Sequence, residues 1–73
     1  MKLGEKVTRL KKLKSMSQVD LAHVTGIPRD AISKYERGDI VPSVKYAKRL
    51  AHALGVSLDY LVIEEELEEV LDT

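Results

Sequence analysis

Helix stop and start signals recur at short intervals along this chain, and they constrain its fold more than any other feature. Thr25-Gly26, Gly38 and Gly55 each close a segment of helical apolar period, while Ser17, Pro28, Ser43 and Ser57 stand where the next segment opens. A glycine takes the positive φ that follows a helix end at little cost, and a serine hydroxyl accepts a hydrogen bond from the exposed N–H groups of a first turn. No strand-like alternation runs long enough to compete. The expectation is a compact all-α domain of five short helices joined by loops of a few residues.

Leu3, Val7 and Leu10 recur between lysines, which predicts an amphipathic first helix from Leu3 to about Leu13. Ser17, with Asp20 three residues on as a weaker form of capping box, opens a second helix from about Ser17 to Val24 that carries Leu21, Ala22 and Val24. Pro28 suits the first position of a third, running to about Arg37 with Ile32 and Tyr35 facing inward. Ser43 caps a fourth, whose inner stripe is Val44, Ala47, Leu50, Ala51 and Leu54, and Ser57 a fifth and shorter one carrying Leu58 and Leu61.

With 73 residues the chain has room for one small domain and a modest core, which disfavours a large catalytic cleft. It has no cysteine, so a disulfide framework, a thiolate nucleophile and the usual cysteine-containing zinc sites are excluded. Met1 to Leu10 lacks the apolar core of a signal peptide, and the longest unbroken apolar run, Tyr60 to Ile63, is far too short to span a membrane. A cytoplasmic protein is the expectation. Formal net charge is zero, yet residues 1–62 hold twelve basic and six acidic side chains, and residues 63–73 hold six acidic and no basic ones. A basic body of +6 followed by an acidic tail of −6 points to an anionic partner for the body, nucleic acid first among them.

The segment from Gln18 to Arg37 is the informative one. Two helices joined by a turn at Gly26 form a helix-turn-helix unit: Ala22 is small where the helices cross, and Leu21, Ile27, Ile32 and Tyr35 bury the inner faces. Taken together with Met16-Ser17-Gln18, Thr25-Gly26-Ile27, Ala31 to Gly38, Pro42-Ser43 and Leu50 to Leu58, these residues resemble the phage-repressor and Cro-like helix-turn-helix domains, over about Leu3 to Leu61. The resemblance implies a five-helix lambda-repressor-like domain that binds operator DNA, usually as a homodimer on two half-sites roughly 34 Å apart. It implies no cofactor and no metal.

Carried over by the resemblance, the third helix lies in the major groove and presents Arg29, Asp30, Ser33 and Lys34 to the bases. Arg29 and Lys34 can donate to guanine, with phosphate contact the alternative; Asp30 can accept from a cytosine amino group, or simply complement the positive end of its helix. Gln18, with Ser17 beside it as helper or cap, matches a glutamine that contacts the DNA backbone and supports base contacts. Arg37 and Lys45, with Lys48 after them, match phosphate contacts. Lys11 aligns with a basic residue that pairs with Glu36 and ties the first helix to the end of the third. Ser15 stands where many relatives have glycine, Pro28 where they have a serine or threonine cap, and Asp39-Ile40-Val41 where they often carry basic residues. That loop reads equally as local packing or as a dimer contact.

Residues 63–73 place Ile63, Leu67, Val70 and Leu71 at helical spacing among acids. They read as an amphipathic extension that packs on a second subunit or on its own domain, with the 1–62 domain in front of it. Enzymatic readings find no support: His23 and His52 are isolated, and no glycine-rich phosphate loop, paired carboxylates or base-activated nucleophile is present. Two functions stand. One is a sequence-specific DNA-binding regulator, whether phage repressor, restriction-modification controller or antitoxin-type autoregulator. The other is a protein-interaction module of the same fold that binds a toxin or another effector.

Overall fold

The computed structural model describes residues 2–62, and all regular structure among them is helical. Four helices run Leu3–Leu13 (α1), Gln18–Thr25 (α2), Arg29–Arg37 (α3) and Val44–Leu54 (α4), and residues 58–62 are helical as well (α5). The expected all-α fold is therefore present. The acidic extension at 63–73 lies outside the described residues.

Local chemistry accounts for each boundary. Ser17 and Asp20 form a full capping box: the Ser17 hydroxyl accepts from the Asp20 N–H at 3.0 Å, and the Asp20 carboxylate accepts from the Ser17 N–H at 3.0 Å. The two bonds to Ser17, backbone first, hold the Asp20 carboxyl below its ordinary range. Gly26 ends α2 with φ 73°, in the left-handed region. Pro28 is the N-cap of α3 instead of its first residue, and its carbonyl accepts from Ala31 and Ile32. Ser43 caps α4 through the Tyr46 N–H, and Ser57 caps α5 through the Tyr60 N–H.

The core is built from Val7, Leu21, Ile27, Ile32, Leu50, Leu54 and Leu61, all essentially sealed from solvent, with Leu3, Tyr35 and Ala51 around them. Removing such side chains from water is the main favourable term in a domain this small. Two residues placed on inner faces by period alone turn out. Val24 is 61% exposed because Leu21 and Thr25, four apart, take the inward positions of α2. Val44 is 67% exposed because it opens α4 at the rim, and the buried stripe begins one turn later at Ala47.

Two packing features position α3. Gly4 lies so close to the end of α3 that a Cβ there would stand 2.3 Å from the Tyr35 carbonyl oxygen and 2.8 Å from that of Glu36. The Thr25 hydroxyl donates to the Leu21 carbonyl at 2.7 Å and accepts from the Ile27 N–H at 3.2 Å, which closes the turn between α2 and α3 from inside. No buried side-chain polar atom among the described residues lacks a partner.

Candidate nucleic-acid interface

The α2–α3 unit presents one polar side built from two helix starts. Asp30, Ser33, Lys34 and Arg37 share the side of α3 opposite Ile32 and Tyr35, and Arg29 stands at its N-terminal end; Arg29, Asp30, Lys34 and Arg37 are exposed and Ser33 half-buried. Burial of Ile32 and Tyr35 orients that side outward, and the approach of Gly4 fixes the height of the helix end. Burial, with the neighbouring Tyr46, pushes the Tyr35 hydroxyl up from its ordinary pKa, so it stays neutral beneath the basic surface.

Glu36, two turns beyond Arg29 along the same edge of α3, gathers three elements. Its carboxylate accepts from Lys11 Nζ at 2.8 Å and Thr8 Oγ1 at 3.2 Å on α1, and from Gln18 Nε2 on α2. Burial alone raises a carboxyl pKa; here the bonds from Lys11 and Gln18, the charge of Lys11 and the bond from Thr8 outweigh it and hold Glu36 below the ordinary value. The Lys11–Glu36 pair expected from the resemblance is thus present. The bonds from Thr8 and Gln18 were not anticipated; Thr8 and Lys11 at i, i+3 on the polar edge of α1 carried the signal.

Gln18 extends this set to Arg29 at the start of α3. Its amide nitrogen is given to Glu36, which leaves the carbonyl oxygen to accept from Arg29 Nε at 3.4 Å. Both partners fix the orientation of the carboxamide, since a carboxylate can only accept and a guanidinium can only donate. Gln18 is therefore a bridge between Glu36 and Arg29, with one amide N–H left over, and not the freely pointing donor its position at the helix start implied.

The remaining side chains fall as follows. Ser17 is exposed, and its hydroxyl is occupied as the α2 cap. Arg37 donates to Asp39 Oδ2 at 3.0 Å and to Ser33 Oγ at 3.1 Å, so the loop acid partly neutralises it and Ser33 is engaged as well. Asp30 lies in the first turn of α3, where a carboxylate complements the helix dipole. Lys45 and Lys48 are exposed on α4, and Ile40 and Val41 of the loop before it face solvent, Val41 at 81%. His23 and His52 are exposed on separate helices. Ser15, where a glycine was expected, holds φ 56°, so the turn keeps the left-handed geometry without the residue that adopts it most easily.

Among the described residues no group of three or more His, Cys, Asp or Glu side chains could hold a metal, and no helix is long and apolar enough to cross a membrane. The family model described as "Helix-turn-helix" matches residues 7–61. A SPbeta prophage-derived HTH-type transcriptional regulator, YonR of Bacillus subtilis (strain 168), is 34% identical, covering 94% of this chain and 68% of that protein. The P22 c2 repressor, solved in complex with a synthetic operator, superposes with a TM-score of 0.80 at 31% identity over 84% of this chain and 92% of its own. A chain of the SinR protein/SinI protein complex superposes with a TM-score of 0.81 at 25% identity, over 96% of this chain and 75% of its own. With its helix-turn-helix, its capped turns and its match over three quarters of its length, the chain belongs to the helix-turn-helix family of DNA-binding transcriptional regulators.

Proposed function

We propose that this protein regulates transcription as a repressor-like, sequence-specific DNA-binding module that docks α3 in the major groove as a homodimer. The observation that carries the reading is the outward side of α3, where Arg29 and Lys34 stand clear of the core on a helix held in register by buried contacts. The likeness to a repressor solved on its operator supports the docking mode. In this reading Arg29 and Lys34 contact bases; the N-terminus of α2, with Ser17 and the spare N–H of Gln18, contacts phosphate; and Arg37, Lys45 and Lys48 follow the backbone. Asp30 and Ser33 face the groove between the cations.

Dimer formation is assigned to the exposed apolar loop. Ile40, Val41 and Val44 are exposed within five residues of one another between the end of α3 and the start of α4, and a symmetric contact there would set the half-site spacing. Residues 1–62 form the DNA-binding unit and residues 63–73 an appendage to it.

The test is selection of bound duplexes from a random-sequence library, followed by affinity measurement across salt. Enrichment of a two-fold symmetric motif with a steep negative salt slope supports the reading. If no sequence is enriched and binding equals that of bulk DNA, the reading fails. The SinR–SinI likeness then favours a protein-binding module of the same fold.

A further inference from the structure

The described surface holds a second cationic region, away from α3. α4 carries Lys45, Lys48, Arg49 and His52 and no acidic residue. Lys48, Arg49 and His52, with Val24, Thr25 and Ala53, line a groove of about 340 Å³ between the end of α2 and the outer side of α4. Arg49 is held at its mouth, with its guanidinium 5.6 Å from the Tyr46 ring centroid and Nη1 3.5 Å from the Thr25 carbonyl. Val24, turned out of the core, supplies an apolar wall. No acid lines the groove.

An apolar wall beneath a cationic rim selects a segment that is acidic on one side and apolar on the other. This chain contains such a segment: residues 63–73 combine six acids and no base with Ile63, Leu67, Val70 and Leu71 at helical spacing. We propose that residues 63–73 dock in the α2–α4 groove of their own domain, with apolar side chains against Val24 and Ala53 and carboxylates facing Lys48 and Arg49.

Other surfaces fit this segment less well. The groove along α1 also sets cations, Arg9 and Lys12, beside an exposed apolar side chain, Leu13, but it includes Glu5 and Glu36, which oppose an acidic segment, whereas no acid lines the α2–α4 groove. The outward side of α3 offers cations but no exposed apolar side chain, and carries Asp30. The hollow beside Ile40 and Val41 offers only Lys2. The covalent link favours docking within one molecule, since a short tether maintains an effective concentration on the order of millimolar. In the helical form that separates its apolar and acidic sides, a segment of eleven residues extends about 16 Å, more than the roughly 10 Å width of one helix. Lys48 is shared with the proposed backbone contacts, but the docking is read in the DNA-free protein and stands or falls by itself.

The chain has no cysteine, so a nitroxide attached at Thr73→Cys in the otherwise intact protein is a unique paramagnetic probe. Expected are selective broadening of the Val24, Lys48 and Ala53 amide signals, unchanged on dilution with unlabelled, isotopically normal protein, and loss of that broadening in a Leu67→Asp background. Lys48→Glu, an exposed change that leaves the core alone, weakens it severalfold, as does added salt. Broadening spread evenly over the domain overturns the proposal, as does broadening centred on Arg29 and Lys34. Broadening of the groove only when labelled, isotopically normal molecules are mixed with unlabelled enriched ones also overturns it, and assigns the groove to a second copy.

Discussion

Lys11 and Glu36 meet at 2.8 Å with side chains only 12% and 8% exposed, and this pair fastens α1 to the last turn of α3. Because Gln18 and Thr8 donate to the same carboxylate, the pair is the anchor of a small network. Removing the carboxylate strands an ammonium and two donors in a largely dry setting. Glu36→Ala is expected to cost about 3 kcal/mol of folding stability. A double-mutant cycle with Lys11→Ala is expected to return a coupling of roughly 1–2 kcal/mol by denaturant titration. Coupling near zero would show that the two residues act independently.

The same carboxylate sets an acid limit. A folded-state pKa below the ordinary value near 4.5 means that the unfolded chain binds more protons as pH falls. The contribution is therefore complete above the unfolded value and is lost as pH falls through the lower, folded one. Denaturant midpoints of the wild type should decline in acid more steeply than those of Glu36→Gln, which cannot titrate there. Parallel curves for the two proteins would refute the assignment.

Gly4 predicts a packing failure. A methyl group there meets two backbone carbonyls, which cannot rotate away as a side chain can. Gly4→Ala should lower stability by about 2–3 kcal/mol, although alanine favours helices, and should shift the amide signals of Tyr35 and Glu36. A gain in stability would refute the close approach.

Ser15 predicts the opposite sign. Its left-handed backbone, φ 56°, is strained for serine and ordinary for glycine. Relief of that strain exceeds the extra chain entropy that glycine loses on folding, so Ser15→Gly should gain roughly 0.5–1 kcal/mol. Thermal denaturation would read this as a higher midpoint, and an unchanged or lower one counts against it.

On DNA, Arg29→Ala should relax preference at one base position in each half-site and cost roughly 1–3 kcal/mol. Gln18→Ala should weaken all sites, and because Gln18 orients Arg29 it should also relax that same position in part. Repeating the library selection with each variant separates the two effects. If Gln18→Ala leaves every base preference intact, the 3.4 Å contact plays no part in reading sequence.

Helix existence was readable from the chain because capping residues and glycines act locally: Ser17 with Asp20, Gly26, Ser43 and Gly55 need no tertiary contact to mark an end. Faces were less legible. Val24 and Val44 satisfy the apolar period, yet Thr25 takes the inward position on α2, and the core stops short of the start of α4. Gly4 could not be singled out, because its role depends on carbonyls more than thirty residues away. The candidate site divided in the same way. The exposure of Lys34 follows from its spacing against Ile32 and that of Arg29 from its place at the start of α3, whereas the bridging of Glu36 and Arg29 by Gln18 is created by the docking of three helices.

Lys6 sits at 2% exposure with its ammonium donating to the Tyr60 carbonyl at 3.0 Å and lying 5.3 Å from the centre of the Tyr60 ring. A cation near the first turn of α1 thus depends on a peptide oxygen 54 positions downstream. Anyone grafting this module onto another protein must carry the chain past Leu61, since a splice upstream of Tyr60 leaves a buried ammonium without its acceptor. In such a chimaera Lys6→Met should recover part of the lost solubility and yield, because a neutral thioether needs no such oxygen.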